Sequence, residues 1–226
     1  MIYKSIQEDA ARIAALEAGQ ADIISNIPPH EVARLKNNSR LRVQPVQGLR
    51  PLSLVLSPAY KPLDNVKVRR AITHAIDRER IIKHILEGNA YPLAGLLGPQ
   101  VFGYDPSVKA FAYDPAKAKQ LLSEAGFPNG FELEYYSPTG RYPKDREVAL
   151  VIVEQLSKVG IRAILKTPEW SIFNTDYKNG KYPMYLTGRG SLIDAGTLFH
   201  QYFRTGTTKR VLGYSNPKLH EILHTE

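Results

Sequence analysis

The sequence predicts an α/β domain in which helices flank a mixed sheet. Short apolar stretches typical of strands alternate along the chain with segments whose apolar residues recur at helical spacing. Several of the helical segments also have clear ends. One of them begins at Asp114 and Pro115 and ends at Gly126 and Pro128, which is the expected order of capping residue, first-turn proline and terminating glycine.

The first half of the chain contains seven predicted elements, separated by turn residues. They are a helix with a Ser5–Glu8 capping box that ends at Gly19, a strand at Ala21–Ile24, a helix from Pro28, strands at Leu41–Val46 and Leu52–Leu56, a helix at Val66–Ala75, and a helix capped by Asp77 and ended by Gly88. A proline- and glycine-rich stretch, Tyr91–Ser107, follows. A loop of this length in a compact domain is usually functional or disordered, and its apolar content argues against disorder.

The second half contains eight predicted elements. They are the helix from Asp114 to Gly126, a strand from Phe131 to Tyr135, a helix at Arg146–Val159, a strand at Ile161–Leu165, a helix at Trp170–Tyr177, a strand at Met184–Thr187, a helix at Ala195–Phe203 and a last helix at Pro217–Thr225. The last helix runs to the end of the sequence without a cap, so we expect the sequence to be part of a longer chain.

Composition excludes several classes of protein. The 226 residues contain no cysteine, which rules out a disulfide scaffold, a thiol nucleophile and a cysteine-ligated metal. No apolar run is long enough to cross a membrane, and the first residues have no apolar segment typical of a secretory signal. The formal charge is +8, but the densest basic cluster is only Lys67, Arg69 and Arg70. We therefore expect a solvated basic surface and no nucleic-acid partner.

One enzyme motif is present. His220-Glu221-Ile222-Leu223-His224 matches HExxH, in which two histidines on one helix face bind zinc and the glutamate serves as general base. A zinc site needs a third protein ligand, and only Thr225 and Glu226 follow. A zinc metallopeptidase is therefore an alternative hypothesis, and solvated histidines on a helix are the expected outcome. No Walker A loop or GxSxG elbow is present.

Polar and aromatic residues follow two predicted strands. Tyr136, Arg141 and Tyr142 come after one strand, and Gly188 and Arg189 come after another. Ligands of α/β proteins bind at such strand ends, arginine pairs with carboxylates through two hydrogen bonds, and tyrosine offers an apolar wall with a polar tip. The same residues are also typical of plain turns, and both interpretations remain open from these residues alone.

Several stretches, in the right order, together resemble the family-5 extracellular solute-binding proteins, which are the dipeptide, oligopeptide and nickel receptors of ABC importers. The matching stretches are Ala11–Ile23, Asp64–Ile72 with Ala75–Arg78, Gly103–Pro106, Tyr113–Gly126, Gln155–Leu156 with Gly160–Ile161, and Gly213–Pro217. The resemblance spans nearly the whole chain. It implies a periplasmic-binding-protein-like lobe of class II.

The resemblance also implies a function and an architecture. Residues 1–54 are expected to be the remainder of a first lobe with the hinge, and residues 55–226 a second ligand-binding lobe truncated at its C-terminus. The implied function is capture of a peptide or similar small solute between two lobes and its delivery to a membrane permease, without catalysis. Nickel chelates, glutathione, sugars and haem are alternative solutes within the family. The implied protein is a periplasmic monomer without a cofactor.

The resemblance is weakest where peptide-binding members hold the ligand's amino terminus with an aspartate after a Gly-Trp pair. Here Arg189 replaces the tryptophan and Leu192 occupies the aspartate position, while Asp194 is offset and could be a helix cap. Arg189 instead favours a ligand carboxylate. The candidate ligand-binding residues are Arg189, Arg141, Tyr136, Tyr142, Asp194, Gly188 and Trp170.

Overall fold

A four-stranded mixed sheet forms the centre of the fold in the computed structural model, which describes residues 1–188, 190, 194–203 and 216–224. Its strands are β1 (Leu52–Leu56), β2 (Phe131–Tyr136), β3 (Ile161–Lys166) and β4 (Met184–Gly188). The strand order is β1-β4-β2-β3. β2 is parallel to both β3 and β4, and β1 runs antiparallel to β4. These observations confirm the predicted α/β class and mixed sheet.

Nine helices lie in the described part of the chain. They are α1 (Asp9–Glu17), α2 (Pro29–Lys36), α3 (Val66–Ala75), α4 (Arg78–His84), α5 (Pro115–Glu124), α6 (Asp145–Ser157), α7 (Trp170–Lys178), α8 (Ala195–Phe203) and α9 (Pro217–His224). Each was predicted from the sequence, with small differences at the ends. The long stretch from Tyr91 to Ser107 is loop, as predicted.

The two faces of the sheet bury different side chains. α3, α5 and α6 cover one face, where Leu133, Tyr135 and Leu186 of the strands pack against helix residues such as Ile72 and Leu122. α7 covers the other face. The core on this face is an aromatic cluster of Phe173, Tyr182 and Tyr185, together with Val55. Alternate residues of β2 and β4 enter the two cores because side chains alternate across a strand.

Local capping explains most helix starts. The side chains of Asn65, Asp77 and Asp114 accept hydrogen bonds from the backbone N–H of Lys67, Arg80 and Lys117, respectively. The predicted Ser5–Glu8 capping box is wrong. α1 begins after Glu8, and no side chain caps it.

Two of the predicted strands are wrong as well. Residues 21–24 and 41–46 form neither helix nor strand, and residue 22 lies at a bend. Ile23 and Val46 are 84% and 80% exposed, so these apolar side chains have no core to enter within the described residues. A strand needs hydrogen-bonding neighbours, and apolar spacing alone does not supply them.

Candidate functional site

An open cleft of about 1650 Å³ lies along one edge of the sheet. Its walls are the segment at 48–54, the long loop at 89–101, residues 139–148 after β2, and residues of the segments 7–30 and 72–86. Since β2, β3 and β4 are parallel, their carboxyl ends share this edge, and the first residue of β1, Leu52, pairs with the last residue of β4, Gly188. Polar loops that follow parallel strands therefore converge at the cleft.

Asp145 organises the loop between β2 and α6. Its side chain is 2% exposed, and its carboxylate accepts four backbone hydrogen bonds. Oδ1 accepts from the N–H of Gly140 at 2.9 Å and of Arg146 at 2.8 Å, and Oδ2 accepts from the N–H of Arg141 at 2.8 Å and of Tyr142 at 2.9 Å. This carboxylate fixes the backbone from which both arginines project.

Tyr142 joins this loop to the end of β4. The ring is buried, and its hydroxyl donates a hydrogen bond to the carbonyl of Gly188 at 3.2 Å and lies 3.4 Å from Oγ1 of Thr187. A Cβ on Gly188 would lie 2.5 Å from Cε1 of the Tyr142 ring. Only glycine leaves room for the ring at this position.

Arg141 lies over an aromatic surface at the edge of the cleft. Its guanidinium carbon is 4.7 Å from the centre of the Trp170 ring and 5.7 Å from the centre of the Tyr142 ring, and the two rings meet edge to face. The side chain is exposed, and no carboxylate of the described residues forms an ion pair with it. A guanidinium held beside aromatic rings by cation–π contacts still has N–H groups to offer a carboxylate.

Four of the predicted residues thus come together, namely Arg141, Tyr142, Trp170 and Gly188. Asp194 lies at the start of α8, where its carboxylate accepts hydrogen bonds from the N–H of Thr197 at 2.6 Å and from its hydroxyl at 2.7 Å. These bonds are those of a helix cap. Arg189 and Leu192 lie outside the described residues.

Tyr136 lies on the face of the sheet that α7 covers. Its ring stacks on Tyr182 at 3.9 Å between ring centres, within the aromatic cluster under α7. Its hydroxyl donates a hydrogen bond to Glu134 at 2.7 Å. Burial, together with this hydrogen bond, raises the pKa of Tyr136 to about 12. The hydroxyl therefore stays protonated at neutral pH.

Sequence reasoning missed Asp145. The prediction started α6 one residue later, at Arg146, and gave Asp145 no role. An aspartate directly before an apolar, helix-periodic segment is a signal for a cap. The unusual feature of this cap is the left-handed backbone of Lys144 (φ 54°). It turns the chain so that four amides converge on one carboxylate.

The zinc motif of the alternative hypothesis is described only in part, because the side chain of His224 lies outside the described residues. His220 and Glu221 lie on α9, and among the residues that the structure describes, no three His, Cys, Asp or Glu side chains are grouped as a metal site requires. None of the helices in the described ranges has the length and apolar composition that crossing a membrane requires.

The fold and the cleft at the carboxyl ends of the parallel strands define a class of protein. It is an α/β binding lobe with a polar and aromatic cluster at its strand ends. The sequence model of the bacterial extracellular solute-binding proteins, family 5, middle region, matches residues 1–210. The chain belongs to this family.

Relatives of known name agree with this assignment. The dipeptide-binding protein of Escherichia coli K12 is 32% identical over 219 residues, which are 95% of this chain and 41% of that protein. Heme-binding protein A of Haemophilus influenzae is 30% identical over 191 residues, 83% of this chain and 35% of that protein. The chain therefore spans about two fifths of the length of these relatives.

Solved structures show the same fold. The periplasmic binding protein DppA from Helicobacter pylori, in complex with the peptide STSA, superposes with a TM-score of 0.86 at 27% identity, over 97% of this chain and 44% of that one. AgaA of A. tumefaciens R10, in complex with agropinic acid, superposes with a TM-score of 0.79 at 27% identity, over 96% of this chain and 45% of that one.

Proposed function

We propose that the chain is part of the substrate-binding component of an ABC importer, and that it captures a peptide or similar small solute through a carboxylate. Membership of the solute-binding family supports the class of function. The relative named for dipeptides and the neighbour solved with a peptide support the ligand. In this proposal the protein binds and releases its solute without catalysis.

The observation that carries the proposal is the position of Arg141. Its guanidinium is exposed at the cleft, lies over Trp170 and has no carboxylate partner among the described residues. In this role Arg141 pairs with the carboxylate of the ligand through two charge-assisted hydrogen bonds, and Trp170 and Tyr142 form the wall beside it. Arg189, which follows Gly188 in the sequence, is proposed as a second cation that contacts the solute.

The proposal includes two lobes. Residues 1–54 belong to the remainder of a first lobe with the hinge, and residues 55–226 to the second lobe. The exposed apolar residues Ile23 and Val46 support this division, because they lie in irregular segments that join no sheet in the described part of the chain. Closure of the two lobes around the solute then buries the cleft edge.

The further partners follow from the same proposal. The solute is delivered to an ABC permease in the inner membrane, and the protein acts in the periplasm as a monomer. The family description, bacterial and extracellular, supports this location. Asp194 and Tyr136 contribute indirectly in this scheme, by capping α8 and by packing under α7.

Native mass spectrometry of the full-length protein, purified gently from periplasm, tests the ligand. We expect a set of bound masses that fit short peptides. A single discrete mass, such as that of a nickel chelate, glutathione, a sugar or haem, would replace the mixture of short peptides with that one solute. Glutathione in particular would keep the carboxylate contact.

Calorimetric titration with the identified ligand tests the site. We expect Arg141→Ala to weaken binding about 10- to 100-fold, the range typical of lost hydrogen bonds to charged groups. Arg162→Ala is the matched control, because Arg162 lies at the opposite end of the sheet and is 75% exposed. Unchanged affinity in Arg141→Ala would exclude Arg141 from the binding site.

A further inference from the structure

The cleft contains several cationic side chains that have no acidic partner among the residues lining it. Six basic side chains, excluding histidine, and three acidic side chains line it. The acidic groups are already engaged. Asp9 pairs with Arg12, Glu147 pairs with Lys144 at 3.4 Å, and Asp145 is saturated by backbone amides. The carboxylates that line the cleft are therefore not offered to its remaining arginines.

Four arginines remain after this pairing, and one of them is committed elsewhere. The guanidinium of Arg78 donates to the carbonyls of Leu93 at 3.0 Å and Phe111 at 2.6 Å, and so ties down the long loop. Arg50, Arg141 and Arg146 are all exposed, and none forms an ion pair within the described ranges.

The topology brings these three arginines to one edge. The amides of Arg141 and Arg146 hydrogen-bond to the same carboxylate, so the two side chains leave the backbone close together. Arg50 lies two residues before Leu52, which pairs with Gly188, so it continues β1 past the carboxyl end of β4. Tyr142, bonded to Gly188, connects the two groups.

We infer that the cleft selects a solute with two anionic groups, one held by Arg141 and the second by Arg50 and Arg146. This inference rests on the proposed function and deepens it. A single carboxylate satisfies one guanidinium and leaves the repulsion among the other cations in place. A second anion removes that repulsion, so it contributes more than an isolated surface pair does. The ligand class that fits is a short peptide with an acidic side chain.

Matched dipeptides test the inference on the full-length protein by calorimetry. Ala-Glu and Glu-Ala carry the second carboxylate, and Ala-Gln and Gln-Ala have nearly the same shape without the charge. We expect at least one acidic dipeptide to bind about 10-fold or more tightly than its amide partner. The preference should decrease with added salt, since exposed charges are screened.

Variants assign the two subsites. Arg50→Ala and Arg146→Ala should each reduce the preference for the acidic dipeptide and leave the affinity for the amide dipeptide nearly unchanged. Arg141→Ala should weaken both dipeptides by a similar factor, and Arg162→Ala should change neither. The side chains of Arg50 and Arg146 are exposed and make no ion pair, so we expect both variants to fold.

The two proposals fail in different ways. Equal affinity for acidic and amide dipeptides, with Arg141→Ala still weakening both, overturns the second anionic subsite and leaves the carboxylate-binding function intact. A preference that persists in both Arg50→Ala and Arg146→Ala also overturns this subsite. If no dipeptide binds, the peptide-binding function itself is overturned, and this inference is overturned with it.

Discussion

Replacing Asp145 with asparagine should destabilise the protein substantially. The two carboxylate oxygens accept four backbone hydrogen bonds at 2.8–2.9 Å, two on each oxygen. Asparagine keeps one acceptor oxygen and turns an amide nitrogen toward the other two N–H donors, so two charge-assisted bonds are lost. At about 1.5–3 kcal/mol for each such bond, Asp145→Asn should lower the free energy of unfolding by about 3 kcal/mol or more.

Urea denaturation of the full-length protein, followed by circular dichroism, measures this loss. Asp114→Asn is the matched control, because Asp114 caps α5 through the single N–H of Lys117 and asparagine is an equally good capping residue. We expect the control to lose less than about 1 kcal/mol. A loss below about 1 kcal/mol for Asp145→Asn as well would refute the claim that its charge organises the loop.

Three further predictions concern packing and ionisation. Gly188→Ala should cost about 1–3 kcal/mol, since its new methyl group would overlap the buried ring 2.5 Å away, and a thermal melt would show it. Leu122→Ala should cost about 2–5 kcal/mol in denaturant titrations because Leu122 is 1% exposed, whereas Leu150→Ala, at a half-exposed site, should cost far less. Tyr136 should ionise near pH 12. When tyrosinate absorbance is followed as the pH rises, the Tyr136→Phe variant should therefore lack the step that Tyr136 contributes near that pH. A pKa raised from 10 means that the neutral hydroxyl stabilises the fold below pH 10, and that this contribution is lost as the pH rises toward 12.

The sequence predicts the four sheet strands well because their apolar patterns are typical of strands. In β2, the buried Leu133 and Tyr135 alternate with the exposed Glu132 and Glu134, whereas β4 is a short, continuous buried run. Leu133 and Tyr135 enter one core while Tyr136 enters the other, and such spacing is visible without coordinates. The same signal is misleading at 21–24 and 41–46, where the apolar residues are equally suitable for a strand. Strand formation depends on a neighbouring strand, and a single sequence carries no direct information about neighbours.

The candidate site is only partly predictable for a related reason. Arg141 and Tyr142 follow a predicted strand, so their place at the sheet edge could be expected. Tyr136 precedes Arg141 by only five residues, yet its ring stacks on Tyr182 in the aromatic cluster under α7 and its hydroxyl donates a hydrogen bond to Glu134. Distance along the chain is therefore a poor guide to membership of a site at a strand end.

The second anionic subsite shows where sequence reasoning stops. Arg50 and Arg146 are 96 residues apart in the sequence, and nothing around either of them differs from an ordinary solvated arginine. They acquire a common role only because β1 pairs antiparallel with β4 while β4 runs parallel to β2, which brings the start of β1 to the ends of the other strands. Their significance also depends on which carboxylates of the cleft are already paired with other groups. The carboxylates in the same cleft would neutralise them if Arg12, Lys144 and the loop amides had not already engaged those groups. Charge complementarity for a ligand is therefore a property of the folded edge, and it should decrease if Arg50 is moved from it while the composition of the chain stays the same.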